Sequence, residues 1–318
     1  MGRSNKKKMS KTKKWIVSIA SIFGVLILAL GGYAFYLYNS VQQTVDTMHK
    51  PIEREKSEKR TEVVEFKEQD PISVLLMGVD QRSGDSGRSD TLIVLTVNPN
   101  EKSTQMVSIP RDTRTEIVGK GFEDKINHAY AFGGPEMAID TVENFLDIPI
   151  DYFIQVNMES FKDIVDAVGG VTVESPFAFS QDGYTFNEGT NSLNGEEALA
   201  YSRMRKKDPR GDFGRQERQR QIIQGVIKKG AAFSTITKSG DILNILGENI
   251  QTNLTFEQMY DIQKNYKAAS TNLEQSQING QGTRIGGIYY FIVPEEERSA
   301  LSAKLKQHLE ISETVTKR

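Results

Sequence analysis

The stretch ISVLLMGVDQRSGDSGRSDTLIVLTVNPNEKSTQMVSIP, residues 72–110, contains three apolar runs that are separated by short polar segments. The runs at 72–80, 91–99 and 104–110 have the length and the residue types of buried β-strands. Because the segments between them are short, neighbouring runs are expected to pair as antiparallel strands. The stretch therefore predicts the centre of a β-sheet.

Helical and strand patterns alternate along the chain after this stretch. Apolar residues recur at helical spacing in several segments, and Pro135 suits the first position of a helix. Such interleaving predicts an α/β fold, a single domain with a mixed central β-sheet flanked by helices. The predicted helices cover 124–133, 135–147, 158–170 and most of the chain from 194 onward, the predicted strands cover 151–157, 171–175 and 286–294, and 176–193 is predicted to be a polar loop.

The N-terminus has the pattern of a membrane anchor. Residues 1–14 carry seven basic residues and no acidic one, and residues 15–38 carry no charge. About 20 apolar residues span a bilayer, so 15–38 is predicted to be a transmembrane helix with the basic tail in the cytoplasm. A cleaved signal peptide would have a shorter apolar core and a less aromatic exit. The charged segment 39–70 then reads as an extracellular stem or linker, and 71–318 as an extracellular domain.

Composition and motifs exclude several classes of protein. The chain has no cysteine, which rules out disulfides and cysteine metal sites, and its three histidines lie far apart in sequence. The formal net charge of −2 and the absence of a nucleic-acid-binding signature argue against a nucleic-acid partner. The GxSxG, HExxH and GxxxxGK[ST] motifs are also absent, so the sequence supports neither a serine hydrolase nor a P-loop kinase.

Two carboxylates stand at opposite ends of the loop between the first two predicted strands. Asp80 ends one strand, Asp90 begins the next, and Arg82 and Arg88 lie between them. Paired carboxylates together with water and phosphate oxygens form the usual Mg²⁺ site, and the arginines suit a pyrophosphate beside the metal. The alternative is that both aspartates only cap turns.

Arg111 follows the third predicted strand directly. Pro110 fixes its own backbone and favours extended geometry at Ile109, so Arg111 should emerge at a strand end, where sites on α/β sheets are commonly built. The alternative is a surface arginine paired with Asp112.

The segment YSRMRKKDPRGDFGRQERQRQ, residues 201–221, contains six arginines and two lysines. A helix from Phe213 onward would place Arg215 and Gln219 on the same stripe as Ile222 and Val226, so that both face inward. Buried arginines need anions, and the guanidinium fits phosphate in a bidentate way.

Extending the same projection to the preceding helix places Arg205 on the stripe of Ala198 and Ser202, with Arg203 at its edge. The pattern predicts two helix ends that direct arginines into one anion pocket. The alternative is a structural network of these arginines with Asp208 and Asp212, and the pattern leaves Arg218 and Arg220 undecided between the pocket rim and the surface.

Five motifs together resemble the LytR–CpsA–Psr family of bacterial envelope proteins, with most similarity to the teichoic acid transferases of Gram-positive bacteria. The resemblance covers nearly the whole chain. The motifs are LLMGVDQR and GRSDTLIV (75–94), VSIPRDT (107–113), INHAYAFGG (126–134), YFIQVN and IVDAVGGV (152–171) and LNGEEALAYSRMRKKDPRGDFGRQERQRQ (193–221).

The resemblance implies a phosphotransferase that takes an anionic glycopolymer from a polyprenyl-pyrophosphate carrier and joins it to peptidoglycan. It implies an apolar pocket for the polyprenyl chain and a location in the cell membrane through a single N-terminal span. It also assigns Mg²⁺ to Asp80 and Asp90, and the pyrophosphate to Arg88, Arg111, Arg203, Arg205, Arg215 and Gln219.

In this interpretation Asp90 and Arg111 are catalytic. Asp90 would accept the proton of the sugar hydroxyl, and Arg111 would stabilise the leaving phosphate. Two alternatives remain open, a non-catalytic sensor that binds polyprenyl phosphate or glycopolymer, and a polyprenyl pyrophosphate phosphatase.

Overall fold

The computed structural model describes residues 28, 30–33, 35–36, 38–79, 87–157, 160–230, 247 and 249–311. Most of the predicted span over 15–38 and the predicted metal ligand Asp80 lie outside these residues. No helix within the described residues is both long and apolar enough to cross a membrane. The chain divides into two compact units, Met1–Gln43 and Thr44–Arg318, and the described residues of the first unit are helical.

The second unit contains the strands and helices of an α/β fold. The strands are β1 (Ile72–Val79), β2 (Ser89–Asn98), β3 (Ser103–Ile109), β4 (Arg114–Ile117), β5 (Phe122–Lys125), β6 (Tyr152–Asn157), β7 (Val171–Ser175), β8 (Phe179–Gln181), β9 (Tyr184–Phe186), β10 (Gly189–Leu193), β11 (Ile250–Thr252), β12 (Asn272–Gln277), β13 (Gln281–Ile285) and β14 (Ile288–Ile292). The helices are α1 (His128–Leu146), α2 (Ser160–Ala167), α3 (Gly195–Arg203), α4 (Asp212–Gly230), α5 (Phe256–Asn265) and α6 (Glu295–His308).

Six strands form the central sheet in the order β11-β6-β1-β2-β3-β12. Strands β1, β2 and β3 are antiparallel neighbours, which confirms the prediction from the opening stretch. Strand β6 runs parallel to β1, and β12 runs parallel to β3. The mixed central sheet is therefore confirmed.

Strand β1 shows how both faces of this sheet are buried. Leu75, Met77 and Val79 belong to the core that includes residues of α1 and α6. Ile72 and Val74 point to the other face, into a second core that includes residues of α5. Successive side chains of a strand alternate between faces, so an uninterrupted apolar run indicates helices on both sides.

Helix α1 is kinked near its start, which explains two separate helical patterns in the sequence. Gly133 and Gly134 have non-helical backbone angles, and Gly134 has a φ of 66°. Glycine adopts this left-handed conformation without the steric penalty of a Cβ atom. Pro135 then begins the longer helical segment, as the sequence predicted.

The prediction of a loop over 176–193 is wrong. Strands β8 and β9 form a short hairpin, and β10 pairs with β7. Phe179, Phe186 and Leu193 are buried in the core that these strands share with α3. Strands of three residues are too short to produce the apolar run or the repeated alternation that marks a strand in sequence.

The segment 39–70 differs from the predicted linker, because its residues from Thr44 onward belong to the second compact unit. Arg54 forms a two-point ion pair with Glu143, with N···O distances of 2.7 and 2.9 Å. Arg60 forms another with Asp151, at 2.8 and 2.6 Å. Both partners lie about 90 residues further along the chain, beyond the reach of local sequence patterns.

Candidate active site

The register of the sheet brings Asp90 and Arg111 together. Leu92 of β2 pairs with Ile109 of β3, so two further residues in each direction lead to Asp90 and Arg111. Arg111 Nη1 lies 3.0 Å from Asp90 Oδ1, compared with 3.9 Å between Arg111 Nε and Asp112 Oδ2. Arg111 is thus held at a strand end, as predicted, and its main partner is Asp90 rather than Asp112.

Arg111 remains fully charged in this half-buried position. Burial alone would lower its pKa, but the negative charges of Asp90, Asp212 and Asp112 raise the pKa above its ordinary value. The guanidinium can therefore neutralise an anion at any physiological pH.

Helix α4 supplies a second arginine to the same place. Arg215 Nη2 lies 2.7 Å from Asp212 Oδ1, and Arg205 Nε lies 3.5 Å from the same oxygen. The side chain of Arg215 is only 14% exposed, and its Nε atom is buried without a hydrogen-bond partner among the described residues. Burial lowers the pKa of Arg215, and repulsion from Arg111 and Arg205 lowers it further.

The ion pairs and pKa shifts of these arginines describe a cluster with a surplus of positive charge. We call Arg111, Arg205 and Arg215 the arginine cluster. A buried cation whose pKa is lowered by its cationic neighbours is stabilised by any further anion, and a phosphate group offers several acceptor oxygens to guanidinium donors.

An apolar cavity of about 290 Å³ includes Thr91, the residue after Asp90, in its wall. Gln219, one turn after Arg215 on α4, is 7% exposed and lies in its wall, which confirms the inward orientation that helical spacing predicted for both residues. The wall is otherwise almost entirely hydrocarbon. It includes Leu76, Leu95, Ile154 and Val156 of the sheet, Phe161 and Ile164 of α2, and Ile223, Val226 and Ile227 of α4.

The remaining predicted pyrophosphate ligands lie further out. Arg88 and Arg203 are exposed, and Arg205 is at the edge with 49% of its side chain exposed. The helical projection for Arg205 is wrong, because α3 ends at Arg203 and Met204 is extended with φ −62° and ψ 126°. Arg205 reaches Asp212 from the connecting loop instead of from a helix stripe.

The chain matches the LytR_cpsA_psr family over residues 35–307. It belongs to this family. It is 56% identical over 308 residues to the polyisoprenyl-teichoic acid–peptidoglycan teichoic acid transferase TagU of Bacillus subtilis (strain 168), which covers 97% of this chain and 99% of that protein.

Solved structures agree with this relationship. The crystal structure of B. subtilis TagU is 57% identical, with a TM-score of 0.63, and covers 77% of this chain and 99% of its own. A structure of TagT bound to LIIa-WTA is 32% identical, with a TM-score of 0.72, and covers 83% of this chain and 100% of its own. The α/β domain of this LytR–CpsA–Psr chain is thus shared with relatives that are named as transferases.

The oxygen donors near Asp90 suit the Mg²⁺ that this family resemblance implies. The Ser89 hydroxyl, one residue before Asp90 in β2, is buried and lacks a hydrogen-bond partner in the described part of the chain. Carboxylate and hydroxyl oxygens are hard donors of the type that Mg²⁺ prefers. Val79 pairs with Ser89, and Asp80 follows Val79 in sequence, so the donor set is chemically consistent with a metal at Asp80 and Asp90.

Among the described residues, no group of three or more histidine, cysteine, aspartate or glutamate residues is arranged to hold a metal ion. Asp80 lies outside the described residues, so the site at Asp80 and Asp90 stays a prediction.

Two arginines of this family member serve the fold rather than the pocket. Arg218 is 1% exposed and lies 2.7 Å from Asp208 Oδ2, over the rings of Phe179 and Tyr201. Arg220 donates from Nη1 to Ser108 Oγ and from Nε to Gln275 Oε1. The structural network that the sequence left open therefore exists at both aspartates: Asp208 pairs with Arg218, and Asp212 pairs with Arg205 and Arg215.

A glycine makes the Asp208–Arg218 pair possible. A Cβ atom on Gly214 would lie 1.7 Å from Asp208 Oδ2, which is closer than atoms can approach. Gly214 lies in the first turn of α4, between Asp212 and Arg215, so the same turn holds Asp208 in place and supplies the arginine cluster.

Proposed function

We propose that this chain is a phosphotransferase that moves teichoic acid from a polyprenyl-pyrophosphate carrier to peptidoglycan. The observation that carries the proposal is the arginine cluster together with an apolar cavity whose wall includes Thr91, the residue after Asp90, and Gln219, one turn after Arg215. A polyprenyl pyrophosphate joins a doubly charged anion to a long hydrocarbon, and the two parts of the site match the two parts of that molecule. Relatives at 56–57% identity that cover nearly the whole chain are named as enzymes of this activity.

The residues divide the work of phosphoryl transfer, which consists mostly of positioning and charge stabilisation. Arg111 and Arg215 contact the non-bridging oxygens of the pyrophosphate, and Arg205 approaches from the loop. Asp90 and Asp212 hold two of these guanidinium groups in place through ion pairs of 3.0 and 2.7 Å. Because the donors are fixed before the substrate arrives, little reorganisation is needed in the transition state.

The other predicted ligands complete this proposal. Gln219 marks the boundary between the charged and the apolar part of the site, and Arg88 and Arg203 contact the polymer side of the pyrophosphate from exposed positions. Mg²⁺ held by Asp80 and Asp90 would neutralise part of the pyrophosphate charge.

The place of action follows from the substrate and from the N-terminal sequence. A polyprenyl carrier resides in the membrane, and residues 15–38 have the length and the flanking charges of a single span. We therefore place the domain outside the cell membrane, with the basic tail in the cytoplasm.

A reconstituted transfer assay tests the proposal. The full chain is given lipid-linked teichoic acid and peptidoglycan fragments, and the phosphodiester-linked product is measured by mass spectrometry. We expect Asp90→Ala and Arg111→Ala to reduce the transfer rate about 100-fold or more, since each removes part of the preorganised charge. Arg298→Ala is the matched control, because Arg298 pairs with Glu295 at the exposed start of α6.

Three outcomes contradict the proposal in different ways. Wild-type rates in both folded variants would refute the active-site assignment. Tight binding of the lipid without any turnover would identify a sensor. Release of free phosphate-terminated polymer in the absence of an acceptor would identify a phosphatase.

A further inference from the structure

The proposed transfer needs a group that takes the proton of the acceptor hydroxyl, and the geometry argues against Asp90 in that role. Asp90 Oδ1 is 3.0 Å from Arg111 Nη1, and Asn127 donates to the same oxygen from Nδ2 at 3.4 Å. Both contacts engage Oδ1, so an acceptor hydroxyl would have to compete with Arg111 and Asn127 for that oxygen.

A histidine with the arrangement of a general base follows Asn127 directly in the chain. His128 Nδ1 is 2.7 Å from Asp124 Oδ2, and Tyr290 donates its hydroxyl to Asp124 Oδ1 at 3.3 Å. Lys125 N donates to Asp124 as well, at 2.8 Å. The carboxylate is therefore fixed from three directions, and it fixes the imidazole in turn.

The protonation of this pair follows from the state of Asp124. Burial alone would raise the pKa of Asp124, but the hydrogen bonds from His128 and from Lys125 N lower it below its usual value. An ionised carboxylate can only accept hydrogen bonds, so Nδ1 of His128 is the donor to Asp124, and Nε2 is the ring nitrogen left for proton transfer. No hydrogen bond to Nε2 occurs within the described residues.

We infer that His128, oriented by Asp124, is the general base that takes the proton of the acceptor hydroxyl. This inference rests on the proposed transferase function. His128 then acts as a catalytic residue and Asp124 as a positioning residue.

The backbone connects His128 to the arginine cluster through the preceding residue. Asn127, the preceding residue, donates from its backbone N to Arg111 O at 3.3 Å and from its side chain to Asp90. Consecutive Cα atoms are about 3.8 Å apart, so the His128 Cα atom lies at that distance from the Cα atom of Asn127, the residue that makes both contacts with the site. Its side chain is 24% exposed, which leaves the ring accessible to an acceptor from solvent.

The transfer step balances with this assignment. The acceptor O–H proton moves to His128 Nε2, and the acceptor oxygen forms a new bond to the phosphorus that carries the polymer. The bond between that phosphorus and the bridging oxygen breaks, and polyprenyl phosphate leaves with the electron pair. The imidazolium then releases its proton to water. The arginine cluster binds the phosphates throughout the step, so the general base and the phosphate-binding groups are different residues.

The surroundings of His128 contain both signs of charge. Lys125 pairs with Asp112 at 2.6 Å, which directs its ammonium away from the imidazole. Phe132 packs edge to face against His128, with 6.2 Å between the ring centroids. Lys120 lies over the same Phe132 ring, 5.7 Å from its centroid. Arg114 lies 5.9 Å from the centroid of the Tyr290 ring, and the hydroxyl of this tyrosine contacts Asp124.

The test separates proton transfer from donor binding. The full chain in detergent micelles is assayed for binding of lipid-linked polymer and for its transfer to peptidoglycan fragments across pH. His128→Gln should lower the transfer rate about 100-fold or more while the donor Kd stays unchanged. The fall of the wild-type rate at acidic pH should be absent in this variant.

Asp124→Asn should lower the transfer rate and leave the donor Kd unchanged, since the amide no longer fixes the orientation of the imidazole as the carboxylate does. His128→Ala should regain part of its activity when imidazole is added, which a purely structural role would not allow. His49→Gln is the matched control, because His49 Nδ1 contacts Leu254 O on the strand β11 side of the sheet.

Two results would overturn the inference. One is wild-type transfer with an unchanged pH profile in His128→Gln. The other is loss of donor binding together with transfer, without rescue by imidazole, which would make His128 structural. If the wild-type chain itself transfers nothing to any acceptor, the proposed function fails, and this outcome is distinct from both.

Discussion

Arg215 shows at the scale of one residue why the arginine cluster needs guanidinium groups. Its Nη2 is used by Asp212, and its buried Nε lacks a protein partner in the described chain. A lysine keeps the charge but has a single ammonium, so it cannot contact Asp212 and a phosphate with the same planar fork.

We therefore expect Arg215→Lys to reduce the transfer rate at least about 10-fold, the equivalent of one lost charge-assisted hydrogen bond. The measurement is the initial rate at saturating acceptor. Arg210→Lys is the control, since Arg210 is 48% exposed and pairs with Glu217 at the surface. Equal rates in Arg215→Lys and wild type would show that only the charge matters.

Sequence periodicity predicted some of these residues and missed others for physical reasons. Arg215 and Gln219 lie on the stripe of Ile222, so one helix carries enough information to orient them. Arg218 can be buried because it forms an ion pair with Asp208. Arg220 can be buried because Ser108, 112 residues away, accepts its hydrogen bond. A count of apolar neighbours cannot anticipate such polar partners.

At the scale of elements, the first turn of α4 depends on Gly214. In an exposed helix, Gly→Ala stabilises by about 1 kcal/mol. Here the new Cβ would displace Asp208 and break its buried pair with Arg218, so we expect Gly214→Ala to lower the free energy of unfolding by about 3–5 kcal/mol.

Denaturant unfolding measures this change. Gly230→Ala at the other end of α4 is the matched control, because a Cβ there meets nothing within 4 Å and the change should be neutral or slightly stabilising. Equal destabilisation by both substitutions would exclude the Asp208 contact as the cause.

Helix α6 is docked through a buried histidine, which makes its packing sensitive to pH. His308 is 2% exposed, and its two ring nitrogens lie 2.7 Å from Thr96 Oγ1 and 2.9 Å from Ser103 Oγ. Burial lowers the pKa of His308 from its ordinary 6.5, despite the opposing effect of Glu101.

The sign of the effect follows from proton binding. Below pH 6.5 the unfolded chain takes up a proton at His308 that the folded chain resists, so stability is fully present above 6.5 and is lost as pH falls towards the folded pKa. We expect a loss of at most about 1.4 kcal/mol per pH unit from this group.

Unfolding experiments at pH 7.5 and 5.5 test this prediction, with His308→Gln expected to flatten the dependence. An unchanged slope in the variant would assign the effect to another group. Three carboxylates have pKa values below their ordinary 3.8: Asp124, Asp147 and Asp208. Their contribution to stability changes only below about pH 3.8, so it does not affect the comparison of pH 7.5 with pH 5.5.

Strands β1, β2, β3 and β6 of the central sheet were predictable from sequence, whereas its edge strands β11 and β12 and most of the small strands were not. Strands β1, β2 and β3 are long apolar runs, and their short connections allow only antiparallel pairing. Strands β8 and β9 have three residues each, and Phe179 and Phe186 become recognisable as core only when α3 covers them.

At the scale of the whole molecule, the segment before β1 is a structural part of the compact unit. Glu143 and Asp151 are almost completely buried, and their partners are Arg54 and Arg60. A chain that begins at Thr44 keeps both pairs, whereas one that begins at Ile72 leaves two buried carboxylates unpaired.

We expect the first truncation to unfold at the same temperature as the full chain. The second should be destabilised by about 3–5 kcal/mol for each broken pair, or fail to fold. Differential scanning calorimetry of both chains is the measurement. Equal melting temperatures would restore the interpretation of 39–70 as a linker.

Helix α4 changes from cation to hydrocarbon along a single stripe, from Arg215 through Gln219 to Ile223 and Ile227. The polarity of the side chains along this stripe therefore changes in the same way as the environment changes from water to a hydrocarbon solvent. Burying a CH₂ group is favourable by about 0.8 kcal/mol, so each five-carbon isoprene unit that enters contributes about 4 kcal/mol. Under the proposed function, solvation alone would align the amphiphilic substrate, with its tail along the stripe and its headgroup at the arginines, and so set the position of the scissile bond.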